Sequence, residues 1–302
     1  MTSPQVAIVG AGIAGLSCAR ALAERGITSQ LFDKSRGPGG RISSKRAAPS
    51  AVDLGAQYFT ARAPAFQAQV ETAAQAGALA RWQPRIATAS SEGFQLSPDD
   101  QNRWVGTPRM GAFAHFLAEG LDIAPSTRIE TLDALRQRFD RIVLAIPADQ
   151  ARDLVSGVAP PAQAPCWAAW VDIDVDQPFD AAFVSHDAVR WIANDSSKPG
   201  RTHSRRWVVH ATPQWSQDHL ELSPAQALSQ LIDAARTIMP AAFSVVDSGI
   251  HRWRFARPWD GQAPVDGGCI LADEQVILAG DYCMGGRVEG AWLSGRHAAE
   301  LI

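Results

Sequence analysis

Lysine is almost missing from this chain. Of 28 basic side chains only Lys34, Lys45 and Lys198 are lysines, and 31 acidic residues leave a net charge of −3. No block of positive charge is offered to a nucleic acid or an anionic membrane surface, so neither is expected as a partner. Cysteine is also scarce. Cys18, Cys166, Cys269 and Cys283 lie far apart, with neither metal-ligand spacing nor a disulfide framework, and no metal site is expected. No apolar run approaches the ~20 residues of a membrane span. The first strand pattern begins almost at once, which leaves no signal peptide and predicts a cytoplasmic location. No serine-hydrolase constellation is present. With 46% hydrophobic and 20% charged residues over 302 positions, the composition is that of a globular chain able to build one large domain or two interleaved ones.

The most informative stretch is Val6 to Asp33. A four-residue apolar run, Val6 to Val9, ends at Gly10-Ala11-Gly12-Ile13-Ala14-Gly15. A helical pattern follows through Leu16, Ala19, Leu22 and Ala23, with Gly26 as its stop, and a second strand, Ser29 to Phe32, ends on Asp33. Gly10 permits the tight turn, Gly12 lets a pyrophosphate approach the backbone, and Gly15 lets helix and strand pack closely. The helix N-terminus then faces the phosphates, and Asp33 is placed to accept hydrogen bonds from a ribose diol. A lone glycine motif is weak, but strand, glycines, helix, strand and acid in this order predict dinucleotide binding.

The chain continues with a glycine-rich loop carrying Lys34, Arg36, Gly40 and Arg41. Val52 to Thr60 reads as a short strand leading into a polar–aromatic turn. Pro64 to Ala80 has helical periodicity, Ser90 to Arg103 is a turn-rich connection, and Gly111 to Glu119 is a helix. Thr127 to Glu130 and Asp140 to Pro147 read as strands, the second continuous and apolar as in a buried parallel sheet. From Pro160 tryptophan becomes frequent. Val171 to Asp176 alternates as a half-exposed strand should, Trp207 to His210 and His251 to Phe255 are further strands, and Pro224 to Met239 is an amphipathic helix. Some of these tryptophans are expected to line a pocket for a flat ligand. Val276 to Asp281 is a last buried strand before a final helix that starts near Gly285.

The glycine motif, the acid, the Gly39-Gly40-Arg41 loop and the Asp53-Leu54-Gly55-Ala56-Gln57 strand resemble the flavin-dependent amine oxidase superfamily. The resemblance implies an α/β fold: a Rossmann-type FAD-binding domain with an interleaved antiparallel α+β substrate domain. It implies non-covalent FAD held by Gly10, Ala11, Gly12, Ile13, Ala14, Gly15, Asp33, Lys34, Arg36, Gly40, Arg41, Ala56 and Gln57. In the same superfamily Ile129 would meet adenine through its backbone, Asp281 would contact the ribityl chain beside Gly280, and Val288, after Arg287, would offer an N–H to the pyrimidine edge. Residues 1–60, 104–155 and 265–302 would form the FAD unit, and 61–103 with 156–264 the substrate unit. Only about ten residues separate the strands at Thr127 and Asp140, where relatives place a longer β-meander.

A closer likeness, covering essentially the whole chain, is to the bacterial renalases, carried by LFDKSRGPGGRISSKR, GAQYFTAR, WVGTP, HATPQWS, HRWRFARP and GDYCMGGRVEGAWLSG. It implies an oxidase of the 2- and 6-dihydro isomers of NAD(P)H, yielding NAD(P)+ and, with oxygen, hydrogen peroxide. Loss of hydride from a dihydropyridine leaves an aromatic pyridinium, so no catalytic acid or base is assigned. Gln57, Tyr58, Phe59, Thr60 and Ala61 are expected near flavin and nicotinamide, with Trp191, Asn194, His251, Tyr282 and Met284 as weaker substrate-pocket candidates. The rival within the superfamily is an amine oxidase, disfavoured because residues 199–302 contain no lysine to stand near the flavin. A rival from another class is a module that binds FAD or NAD(P) without turnover.

Overall fold

The computed structural model describes residues 4–47, 50–90, 92–202 and 205–302. The chain runs through β1 (Val6–Val9), α1 (Ile13–Glu24), β2 (Ser29–Phe32), β3 (Lys45–Ala47), β4 (Ser50–Val52), α2 (Pro64–Gln75), β5 (Leu79–Trp82), β6 (Ile86–Ser90), β7 (Gly93–Leu96) and β8 (Arg103–Gly106). It continues through α3 (Ala112–Ala118), β9 (Asp122–Ala124), α4 (Asp133–Arg138), β10 (Arg141–Leu144), α5 (Ala148–Arg152), β11 (Gln163–Ile173), β12 (Ala181–Ser185), β13 (Val189–Asn194) and β14 (Arg206–Ala211). The last part is α6 (Pro213–Asp218), α7 (Pro224–Ile238), β15 (Val245–Pro258), β16 (Ile270–Leu271), β17 (Val276–Leu278) and α8 (Arg287–Glu300).

Two sheets organise these elements. The first has the order β16-β17-β10-β1-β2-β9 and is parallel except at β16. β1 and β10 are apolar and almost wholly buried, as strands covered on both faces must be. The chain leaves β1 towards β2 on one side and returns as β10 on the other. Its carboxyl end is therefore a switch point, where open α/β sheets bind ligands. The two remote ends of the chain meet here. A Cβ on Gly295 of α8 would fall 2.1 Å from the Ala14 carbonyl oxygen of α1. The Ser17 hydroxyl donates to the Trp292 carbonyl at 2.7 Å, so the first and last helices touch backbone to backbone.

The second sheet, β15-β11-β14-β13-β12-β6-β7, is antiparallel except where β12 meets β6. Ala227, Leu231, Ala235 and Ile238 of α7 close a core on one face with Trp167, Val171, Trp207 and Val209. α7 itself begins at a capping box in which Ser223 and Gln226 satisfy each other's backbone. The opposite face of this sheet presents Trp191 and His210 to the first unit. Two small sheets, β3-β4 and β5-β8, complete the frame. α2 puts Phe66 and Val70 into the same apolar cluster as Phe113 and Trp292 of the dinucleotide half.

Several local readings are corrected. Thr127 to Glu130 is not a strand; the sixth strand is β9, three residues upstream, and α4 fills the short connection to β10. Val52 to Thr60 is mostly a loop, with Val52 closing β4 and Phe59 making one bridge to Trp104. The helix from Pro64 stops at Gln75, and Leu79 to Trp82 forms β5. The connection after Ser90 contains β7, although Ser91 lies outside the described residues. The alternation over Val171 to Asp176 holds, with Val171 and Ile173 buried and Asp174 and Asp176 exposed, but the strand ends at Ile173 and reaches back to Gln163, buried along nearly its whole length between β14 and β15. Asp172 interrupts its apolar run to pair with Arg206 at 2.7 Å.

Gly295→Val tests the contact between the two ends. Forcing a branched side chain against the α1 backbone should cost about 1–3 kcal/mol, read as a lower midpoint of urea unfolding. An unchanged midpoint would mean that α1 and α8 do not pack this closely.

Candidate functional site

The glycine turn between β1 and α1 has the shape of a phosphate cradle. Gly10 has φ 106°, and a Cβ there would lie 2.4 Å from the Ala145 carbonyl oxygen at the end of β10. A Cβ on Gly15 would meet the Gly10 carbonyl oxygen at 2.0 Å, whereas one on Gly12 would meet nothing within 4 Å. Gly12 is the N-cap of α1, no side chain caps it, and the first turn carries no acid. Ala11, Ile13 and Ala14 are buried around the turn. The uncapped N-terminus of α1, with its positive dipole end, fits a pyrophosphate. The Gly37–Gly40 loop lies against this turn, with the Gly39 N–H donating to the Ala11 carbonyl at 2.8 Å.

Asp33 stands at the end of β2, 8% exposed, accepting from the Ala11 N–H at 2.6 Å and the Ser35 N–H at 2.7 Å. Lys34 donates to Gln150 at 3.1 Å, and burial, with Arg128 nearby, holds its ammonium below the usual lysine range. Arg36 lines a concavity of about 630 Å³ between its loop and α3, with Pro38, His115, Phe116, Ile123 and Pro125. Ile129 packs on the apolar cluster of Phe32 and Phe139.

Arg41 and Asp281 join the beginning and end of the chain. The guanidinium grips the carboxylate at two points, 2.6 Å and 3.0 Å, and donates also to the Ala256 carbonyl at 3.0 Å. Gly280 precedes Asp281, and its N–H donates to Ser294 of α8 at 2.9 Å. Arg287 holds a left-handed φ of 74°, a conformation a non-glycine residue keeps at a cost of about 1–3 kcal/mol, where the chain turns into α8. No side chain caps α8 either, and Val288 is buried in its first turn. Tyr282 is buried with its hydroxyl unpaired among the described residues, and so is Gln163 Nε2. Both residues border Ala148, which packs on Tyr282 and donates its N–H to Gln163 Oε1. Two uncapped helix ends and two unpaired buried donors fit a phosphate-bearing, hydroxylated cofactor.

Between these halves runs the strap Asp53–Gln57, held from both units. Asp53 accepts from Ser44 at 2.5 Å, from the Met110 N–H at 3.1 Å, and from Arg201. The Leu54 carbonyl takes the Trp253 indole N–H at 2.9 Å and His210 Nε2 at 3.1 Å. Burial pushes His210 down to about 4, so the ring is neutral and Nε2–H donates. Gly55 lies against the Arg41 backbone, and the Ala56 N–H donates to the Arg41 carbonyl at 3.2 Å. Gln57 donates to the Asp53 and Gly55 carbonyls and accepts from Lys198 Nζ at 3.1 Å.

Beyond Gln57 is an aromatic box. The Tyr58 ring centroid is 5.6 Å from Trp191 and 6.1 Å from Trp82. Trp191 also meets Phe183 at 4.9 Å, and its indole N–H is unpaired among the described residues. Thr60 and Ala61 are half-buried nearby in sequence. Phe59 belongs to the core instead, 4% exposed and stacked on Phe113 at 5.4 Å. Asn194 caps a 3-10 turn, accepting from the Ser196 N–H at 3.0 Å, and so shapes the loop that carries Lys198. His251 lies at 4.4 Å from Trp253 and is pushed down to about 4 by burial and by Lys45. Met284 packs between Gly268 and Gly290. Cys283 is buried, and burial pushes its thiol up to about 12.

Sequence reasoning missed Lys198, Asp195, Arg201, Trp82 and Arg103. The absence of lysine from 199–302 does not remove the group from the second unit, because Lys198 itself stands beside Gln57. Its rarity was the one available signal: it is one of three lysines in the chain.

The profile of an NAD(P)-binding Rossmann-like domain matches residues 8–72, and that of the flavin containing amine oxidoreductase family matches 179–302. A hydroxyneurosporene desaturase of Rubrivivax gelatinosus is 45% identical over 58 residues, which is 19% of this chain and only 11% of that one. A putative protoporphyrinogen oxidase from Exiguobacterium sp. 255-15 superposes with a TM-score of 0.77 at 14% identity, covering 99% of this chain and 98% of that. A reduced UDP-galactopyranose mutase gives 0.75 at 11% identity over 99% and 94%. A putrescine oxidase bound to putrescine gives 0.68 at 13% identity over 99% and 98%. At these identities the structures share the fold.

Two outcomes follow from the site. Arg41→Ala should lower FAD retention at least about tenfold, the loss of one charge-assisted contact, measured as flavin per polypeptide after gel filtration; full retention would remove Arg41 from the site. The folded state holds His210 neutral, while the unfolded chain takes up its proton near pH 6.5. Stability should therefore be present above pH 6.5 and fall as pH is lowered towards 4, by up to about 3 kcal/mol. His210→Gln should make that fall shallower, leaving the part due to His251, and an unchanged curve would contradict the assignment.

Proposed function

We propose that this chain, a flavoprotein of the flavin amine oxidase superfamily, is an oxidase of misreduced nicotinamide dinucleotides. Its substrates are the 2- and 6-dihydro isomers of NAD(P)H. Substrate, O2 and a proton give NAD(P)+ and hydrogen peroxide. Bound FAD supplies the hydride acceptor and the route of the electrons to oxygen. Residues 1–60, 104–155 and 265–302 form the cofactor unit in this reading, and 61–103 with 156–264 the substrate unit. The glycine turn, Asp33, Arg41 and Asp281 hold the dinucleotide, Val288 of α8 meets the pyrimidine edge, and Gln57 and Tyr58 stand beside the reacting rings.

The observation that carries this reading is the charge of the aromatic box. Arg103 lies over the Tyr58 ring at 5.1 Å and Lys198 over Trp82 at 5.6 Å. The carboxylates closest to Gln57 are already neutralised, Asp195 by Lys198 and Asp53 by Arg201. Asp99 is taken up by Arg103 at 2.7 Å. A substrate ammonium entering here finds cations on the ring faces and, among the described residues named here, no spare carboxylate to replace its water. A neutral dihydropyridine needs no counter-charge. Loss of its hydride leaves an aromatic pyridinium whose charge is spread over the ring, and no proton has to be removed. The residues need only position the ring and exclude competing geometries.

Amine oxidation remains the second reading, because a buried lysine of the second unit does stand beside Gln57. Its ammonium is engaged by Asp195 and Gln57, which weighs against it.

Anaerobic stopped-flow decides between them. The 2- and 6-dihydro isomers should bleach the flavin at least about a hundredfold faster than 4-dihydro-NADH or putrescine, a difference of about 2.7 kcal/mol in barrier. Equal or faster bleaching by the amine would overturn the proposal in favour of amine oxidation. No bleaching by any of them would favour a binding protein without turnover.

A further inference from the structure

A closed ring of four buried charges sits behind the strap. Asp195 meets Lys198 at 2.7 Å, Lys198 lies 3.9 Å from Asp53, Asp53 is gripped by Arg201, and Arg201 returns to Asp195 at 3.9 Å. The signs alternate around the ring, and the four side chains are 0–2% exposed. Asp53 belongs to the strap, whereas the other three come from the loop after β13, so the ring ties the units together. Buried ion pairs are poor sources of stability, since desolvation offsets most of their attraction. A ring of four next to a cofactor site needs another explanation.

Its outlet supplies one. Lys198 Nζ has a second hydrogen bond, to Gln57 Oε1 at 3.1 Å, and the other end of that carboxamide donates to the Asp53 and Gly55 carbonyls. An amide can be turned by half a rotation at little steric cost. Here the ammonium, which only donates, and the carbonyls, which only accept, permit one orientation. The flanks reinforce this: Trp82 covers Lys198 and donates its indole N–H to Ser197 at 3.0 Å, locking the loop.

We propose that Lys198 is a positioning residue: with Asp195 it fixes the Gln57 carboxamide against the flavin, and the four-charge ring exists to hold that ammonium in place. The inference rests on FAD being the bound cofactor and is independent of which substrate reduces it.

The test compares two neutral lesions and their combination in FAD-loaded protein. Asp195→Asn with Lys198→Met removes one charge of each sign and leaves Asp53 and Arg201 paired. Gln57→Met removes the amide and leaves the ring intact. Each should move the visible absorption and circular dichroism bands of the oxidised flavin in the same direction. The combination should add almost nothing to either alone, because both lesions erase one interaction. Bleaching by the preferred dihydronicotinamide should fall about tenfold in each, the kinetic equivalent of one hydrogen bond, without further loss in the combination. Lys198→Arg in the otherwise intact ring should restore much of the spectrum. Additive band shifts, or a wild-type flavin spectrum in Asp195→Asn with Lys198→Met, would overturn the proposal. So would loss of FAD from that variant while Gln57→Met keeps it, since the ring would then serve folding rather than Gln57. If wild-type protein binds FAD but is bleached by no dihydronicotinamide, the substrate reading fails and the band-shift comparison still decides this one.

Discussion

The Arg41–Asp281 ion pair is the contact on which the rest of the molecule depends. It joins residues 240 positions apart, one from the loop over the first glycine turn and the other from the turn before the last helix. Neither terminal segment makes a cofactor site alone. Together they bring two uncapped helix N-termini, those of α1 and α8, towards the carboxyl end of the parallel sheet. Close backbone packing at Gly295, against Ala14 and Cys18 of α1, keeps those helices near enough for this, and a side chain there would push them apart. The pair also passes its orientation on, because the strap leans on the Arg41 backbone at Gly55.

The strap carries the second unit. Its polar atoms are claimed mostly from the second side, Asp53 by Arg201, Leu54 by His210 and Trp253, and Gln57 by Lys198, with the Met110 amide reaching Asp53 from the first. The tryptophan-rich sheet is thereby fixed over the first sheet by directional bonds, alongside the apolar contacts of Trp191, Ala181 and Trp170. The polar cost of burying these groups is met only if all partners are present, which makes the region all-or-none.

What the sequence made legible follows from how local each signal is. The β1–α1–β2 unit was readable because its glycines, apolar run and terminal acid are covalent near-neighbours and each answers one steric or electrostatic demand. The final strand and helix were readable for the same reason, and α7 announced itself by its apolar stripe and its capping residues. β9 was misplaced because three residues, Asp122–Ala124, carry too little pattern to compete with the apparent alternation at Thr127. β11 begins at Gln163, upstream of the alternation at Val171, over a stretch whose burial is decided by strands that arrive later in the chain. Phe59 reads as a pocket residue beside Tyr58, yet its bridge to Trp104 and its stack on Phe113 hold it in the core. The charge ring was invisible, since Lys198 meets Gln57 from 141 residues away and no spacing rule links them. The domain boundaries depend on similarly distant contacts, such as α2 against α8.

The central claim is that both ends of the chain hold one FAD. A crystal structure of the FAD-loaded protein tests it most directly. The account predicts one FAD running from the Gly12 turn past Arg41 and Asp281 to the first turn of α8 at Val288, with Gln57 at its ring end and no covalent bond to Cys283. Flavin density on another surface, or a bound FAD touching only one of the two terminal segments, would contradict it.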